Sequence, residues 1–188
     1  MEYSVGDIIE FGSYPYEADG TEKPIEWIIL EKYSDGTALL LGKYGLDAVR
    51  FDKKSSNWEK SEIRQWLNHE FYKRAFKNAD KSLIIETRLE QTSDKMFLLS
   101  IDEANKYFSS DNKRKFYPTP YSKTNKTEMG IPVNSYHGSC WWWLRSPGCH
   151  RFDAAYVHYG GFVRSCGSPV DDGAAAVRPA MKINLKNL

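Results

Sequence analysis

The chain has 188 residues, 41% of them hydrophobic, with 26 basic and 25 acidic side chains and a formal net charge of +1. That size and composition fit one substantial domain with its own core and exclude global disorder. The near-balance of charge removes any global electrostatic drive toward nucleic acid or an anionic membrane.

No apolar run is long enough to cross a bilayer, and residues 1–7 carry neither a basic leader nor an apolar signal segment, so a cytoplasmic protein is the expectation. Residues 5–11 alternate in part and predict a first strand, broken by Gly12-Ser13-Tyr14-Pro15. Residues 25–30 and 38–41 predict a second and a third strand, joined by a hairpin turn at Ser34-Asp35-Gly36-Thr37.

Residues 51–60 are polar and read as a loop. Ser61 then stands where it can cap a helix running to about residue 76. Ile63, Trp66, Leu67, Phe71, Ala75 and Phe76 recur on one face of it as a core-anchoring stripe. Residues 82–85 form a short apolar segment and residues 96–99 a short strand. Ser100-Ile101-Asp102-Glu103 has the capping-box pattern for a second helix carrying Ala104, Tyr107 and Phe108.

Residues 109–138 read as a long loop packed on the same domain. Lys113, Arg114, Lys115, Lys123 and Lys126 make it locally basic, but no spacing there matches a specific nucleic-acid module. Asn125-Lys126-Thr127 matches a glycosylation sequon, which carries little meaning without a secretory signal.

Residues 141–144 predict a strand with tryptophans on both faces, ended by a Ser146-Pro147-Gly148 turn. Residues 154–159 and 162–165 flank Gly160-Gly161 as a hairpin, and Asp171-Asp172-Gly173 is a further turn. Residues 174–178 and a closing segment through Ile183 follow, with Pro179 at an edge, a bulge or the start of the final strand. Helices in the middle and strand-rich ends make residues 1–188 a single α+β domain, not a regular βαβ array.

The C-terminal block resembles a bacterial family of uncharacterised domains in which a Trp-Trp-Leu-Arg-Ser-Pro-Gly segment precedes a Gly-rich hairpin and an Arg-Pro-Ala ending. Here those elements are residues 142–148, Gly160-Gly161 and Val177-Arg178-Pro179-Ala180. Val5-Gly6-Asp7, Phe11-Gly12-Ser13-Tyr14-Pro15, Ile25-Glu26-Trp27, Ile63-Arg64-Gln65-Trp66-Leu67-Asn68 and Phe97-Leu98-Leu99-Ser100 extend the resemblance over nearly the whole chain. More distantly, the family is similar to C-type-lectin-like folds, including ligand-binding domains of phage receptor-binding proteins and the formylglycine-generating-enzyme group. That resemblance implies a C-type-lectin-like domain with two main helices, a Trp-rich C-terminal antiparallel sheet, chain ends close together and long loops that present a ligand. It carries over neither a calcium-dependent sugar site nor paired catalytic thiols.

Candidate chemistry concentrates in the same block. Cys140, Cys149 and Cys166 form an odd set, which does not suggest a disulfide-dependent scaffold. His137 and Cys140 with Cys149 and His150 have ligand types suited to zinc, and Asp171-Asp172-Gly173 offers oxygens suited to calcium; no other cofactor is implied. Cys166 with His158 has the residue types of a thiolate–imidazole pair.

Arg145, Arg151, Arg164 and Arg178 can converge on a carboxylate or phosphate; the preferred structural alternative has Arg145 and Arg178 stitching strands beneath the loops. Trp142, Tyr156, His158, Tyr159 and Phe162 can line an aromatic sugar- or peptide-binding surface. The leading expectation is a noncatalytic recognition domain for a protein, peptide or carbohydrate, using loops near 109–138 and 145–173. A cysteine- or metal-dependent enzyme and a phage-like structural or host-recognition protein are the alternatives.

Overall fold

The computed structural model describes residues 3–124 and 135–188. Strands β1 (Ile8–Pro15), β2 (Glu22–Lys32) and β3 (Thr37–Gly42) form an antiparallel meander. A short β4 (Ile84–Ile85) completes the first sheet from the far side. Strands β5 (Trp142–Pro147), β6 (Asp153–Val157) and β7 (Val163–Pro169) make a second antiparallel sheet. The last strand, β8 (Ala180–Asn184), returns to the first sheet, whose order is β1-β2-β3-β8-β4.

All six residues of β3 are buried, as expected of a continuous apolar run covered on both faces. The period of two splits them. Ala38 and Leu40 join Ile29, Phe71, Phe76, Met181 and Ile183 in one cluster, while Leu39 and Leu41 join Phe97, Leu99, Trp142 and Ala180 in the other. The same alternation divides the tryptophans of β5. Trp143 enters the first cluster and Trp142 the second, and Trp141, just before the strand, stays half-buried with its ring edge-on to Trp143 and Tyr156.

The helices follow their start signals. Helix α1 (Glu62–Trp66) begins at Ser61, whose hydroxyl accepts from the Arg64 amide, and continues through a π-helical stretch at Leu67–Phe71 into Tyr72–Ala75. Asn68 on this helix accepts from the amides of Lys95 and Met96 and donates to the Met96 carbonyl, tying the helix to the chain before α2. Helix α2 (Ile101–Tyr107) has the predicted capping box. The Ser100 amide donates to Glu103 at 2.8 Å, and the Glu103 amide to the Ser100 hydroxyl at 3.2 Å.

Several local expectations change. The tryptophan strand does not end at Ser146, because β5 runs on through Pro147. Gly12-Ser13-Tyr14-Pro15 does not break β1; the strand bulges there, with Gly12 at φ 71°. A Cβ on Gly12 would lie 2.6 Å from the Ala75 carbonyl oxygen and 2.7 Å from the Phe76 ring, so glycine lets helix and strand touch. Residues 96–99 are buried but make only an isolated bridge, Phe97 to Ala180, because the Leu98 and Leu99 carbonyls are taken by Arg145. The 109–138 region is not all loop: Asp111–Arg114 and Pro120–Thr124 are short helical turns, and Tyr117–Pro118 pairs in parallel with Tyr44–Gly45. Lys126 and the Asn125-Lys126-Thr127 sequon lie outside the described residues.

Both ends of the described chain reach the β2–β3 hairpin. Lys32 donates to the Tyr3 carbonyl, and the Leu185 amide donates to the Gly36 carbonyl. No helix is long and apolar enough to cross a membrane among the described residues.

Candidate functional site

The end of β5 explains why an Arg-Ser pair follows the tryptophans. The Arg145 amide bonds the Leu99 carbonyl, and its guanidinium bonds the Leu98 carbonyl at 2.9 Å, Glu103 and Glu90. Ser146 accepts from the Ile101 amide at 3.0 Å, so the pair fixes the first turn of α2 from outside while the capping box fixes it from within. Burial works against the Arg145 charge, yet its bonds to Glu103 and Glu90 outweigh that and hold the guanidinium above its ordinary pKa. The bond from Arg145 in turn holds the Glu90 carboxyl below the usual carboxylate range.

Across from this strand end stands Trp58, in the 3-10 turn Trp58–Lys60 capped by Asn57. Its indole Nε1 donates to Asp94 at 3.1 Å. Asp94 is buried and also accepts from Arg64 and Thr92, each at 2.7 Å. The indole is therefore pinned by its polar edge and packed against Phe51.

Between the two lies a cleft of about 530 Å³ lined by Trp58, Arg145 and Arg151, with small polar side chains such as Ser55, Asn57 and Gln91. Arg151 enters from the β5–β6 turn. Its carbonyl accepts from the Ser56 amide at 2.9 Å, which ties this turn to the segment before Trp58. The exposed guanidinium stacks over Phe152 and has no ion-pair partner among the described residues.

The same turn corrects the cysteine reading. Cys149 and Cys166 form a disulfide with their Cα atoms 4.4 Å apart, and Cys140 is the free, buried one. The Cys149 amide also bonds the Cys166 carbonyl, and Gly148 passes so close that a Cβ would lie 2.4 Å from that oxygen. Cys166 therefore stands as half of a cystine, not as a thiol beside His158. His137, Cys140, Cys149 and His150 do not assemble either: Cys149 is committed to Cys166, Cys140 is buried with its thiol pushed up to about 12 by burial, and both histidines are exposed. No group of three metal-ligating side chains exists among the described residues. At Asp171-Asp172-Gly173 the Asp172 carboxylate accepts from the Ala174 amide, closing the turn locally.

The aromatic candidates separate into three environments. Trp142 is fully buried, its Nε1 donating to the Arg114 carbonyl. Tyr156 packs half-buried against Trp141 and Trp143. His158, Tyr159 and Phe162 form a half-buried surface stack, joined by the exposed Tyr136 at 4.9 Å from Tyr159 and by Arg164 over Phe162. Burial and the nearby Arg164 lower the His158 pKa.

Arg178 is not at a surface. It is 2% exposed, enclosed by the rings of Phe116, Trp142 and Phe108, and donates through Nε to the Gly42 carbonyl at 3.0 Å. Arg145 and Arg151 thus share the cleft, while Arg164 and Arg178 belong elsewhere. The sequence reading missed Trp58 and Glu90. A lone tryptophan in the polar 51–60 run was the one available signal; Glu90, in an exposed turn, gives none.

A family model described as a domain of unknown function (DUF6273) matches residues 35–185. No curated protein and no solved structure matches the chain.

Proposed function

The chain belongs to the DUF6273 family, and from that premise we propose that it is a noncatalytic recognition domain of C-type-lectin-like architecture, holding its ligand in the Trp58–Arg145–Arg151 cleft. The carrying observation is the indole of Trp58, immobilised by Asp94 beside a concave surface of small polar side chains and arginines. An aromatic face fixed next to convergent donors and acceptors suits a ligand with both apolar faces and polar edges, such as a sugar or an extended peptide. The positions of these groups come from a 3-10 turn, a strand end and a turn tied by a disulfide, so little ordering is left for binding.

The lectin-like reading is supported by first and last strands in one sheet, by both chain ends meeting the β2–β3 hairpin, and by the Trp-bearing β5 in a separate sheet.

A panel of immobilised glycans and peptides, probed with the wild-type protein and with Trp58→Ala, tests this. Binding to a restricted set that is lost in Trp58→Ala, with thermal unfolding still cooperative, is the expected result. Equal binding by both proteins would remove the cleft from the account.

A further inference from the structure

The recognition reading leaves the ligand's chemistry open, and the next step rests on that reading. Two carboxylates share Arg145, and they are held unequally. Glu103 accepts from Arg145 through both terminal nitrogens and also from the Ser100 amide, inside the capping box. Glu90 bonds Arg145 alone among the described residues, through Nε at 3.2 Å and Nη2 at 2.8 Å. Its side chain is 67% exposed, against 6% for Arg145. If Glu90 swings away, Arg145 keeps Glu103 and the Leu98 carbonyl, so no buried charge is stranded.

Glu90 and Arg145 also line both the cleft and a second hollow of about 310 Å³ that reaches Tyr33, Thr87, Tyr107 and Lys182. Their ion pair thus belongs to the lining of both. We propose that Glu90 is a resident, displaceable carboxylate, and that the cleft takes a uronic acid residue whose own carboxylate replaces it on Nε and Nη2 of Arg145.

A carboxylate matches that two-nitrogen edge in the geometry Glu90 already demonstrates. Trp58 offers an immobile face for the C–H side of a pyranose ring, and Ser55, Asn57 and Gln91 offer hydroxyl partners. These groups favour a sugar acid over a peptide's terminal carboxylate. Arg151, a lining residue with no ion-pair partner among the described residues, adds the positive charge that draws an anion inward. The exchange is neutral for the site: one carboxylate leaves as another arrives, and no covalent bond changes.

The test titrates D-glucuronate, D-glucose, N-acetylglycine and sodium acetate into wild-type, Glu90→Gln and Trp58→Ala proteins, read by calorimetry and ligand-observed NMR. Glucuronate is expected to bind Glu90→Gln about tenfold tighter than wild type, since the competitor is gone. Trp58→Ala is expected to lose glucuronate yet keep acetate. Glucuronate that fails to bind, or that binds no better after Glu90→Gln, overturns the proposal. So does N-acetylglycine bound in preference to glucuronate, or acetate with equal affinity for wild type and Glu90→Gln. If glucose binding depends on Trp58 but glucuronate gains nothing from Glu90→Gln, the exchange is wrong and the cleft still recognises a ligand. If no ligand's binding depends on Trp58, here or on the glycan and peptide panel, the cleft reading itself falls.

Discussion

Arg145 and Arg178 come from the same C-terminal block and are almost equally hidden from solvent, yet they are stabilised in opposite ways. Arg145 is bonded to two carboxylates and a carbonyl at the edge of a cleft. Arg178 has no carboxylate among the described residues; three aromatic rings and the Gly42 carbonyl surround it, and its Nη1 has no partner there. Burial lowers its pKa to about 9, which still leaves it protonated at neutral pH. The contrast separates two uses of one side chain. A guanidinium at a site keeps a counter-ion that can be exchanged, whereas a guanidinium in the interior is spread over π faces and anchors the strand that closes the fold.

The comparison predicts unequal responses to truncation. Arg145→Ala leaves Glu103 half-buried without its cation and frees the start of α2, a loss of about 3–5 kcal/mol in chemical denaturation. Arg178→Met removes a buried charge that lacks an acid and keeps most of the volume, so stability should stay within about 1 kcal/mol of wild type. Arg178→Ala, which leaves a cavity among Phe116, Trp142 and Phe108, should cost about 2–4 kcal/mol. If Arg178→Met proves as damaging as Arg145→Ala, the aromatic cage is not what holds Arg178 and the contrast collapses.

A finer cut lies within the Arg145 cluster. Glu103→Gln weakens both the bridge and the cap and should cost about 1–2 kcal/mol. Glu90→Gln, at an exposed partner, should cost less than about 1 kcal/mol. Equal losses would mean that Glu90 is as structural as Glu103, and would sharpen the comparison by removing exchange from it.

How much of this was legible follows the range of each interaction. Ser61 and the Ser100–Glu103 box were readable because a cap is settled within four residues. The β6–β7 hairpin was readable from Gly160-Gly161; Gly161, at φ 90°, lies so near the Asp111 carbonyl that a Cβ would fall 1.8 Å from its oxygen. The structural role of Arg145 and Arg178 was anticipated, though not that only one of them meets acids. Trp58 and Glu90 escaped because their partners, Asp94 and Arg145, are brought to them by tertiary folding. The Cys149–Cys166 pairing escaped because an odd set of three cysteines does not say which one stays free.

The smallest expected effect is also the one that separates the two arginines without a mutation. The bond from Arg145 lowers the folded-state pKa of Glu90 below its unfolded value. Such a group contributes stability that is fully present above the unfolded carboxylate pKa of about 4.3 and is lost as pH falls through the folded value. Acid should therefore release Glu90 from Arg145, while the Arg178 cage, without a carboxylate to protonate among the described residues, stays as it is. Hydrogen exchange of the two arginine Nε protons, each expressed relative to free arginine at the same pH and followed from pH 6 toward pH 3 (a window of about three units around the carboxylate range), should show a loss of protection at Arg145 alone. Parallel loss at both positions would mean that acid acts on the whole fold and that Glu90 makes no separate contribution.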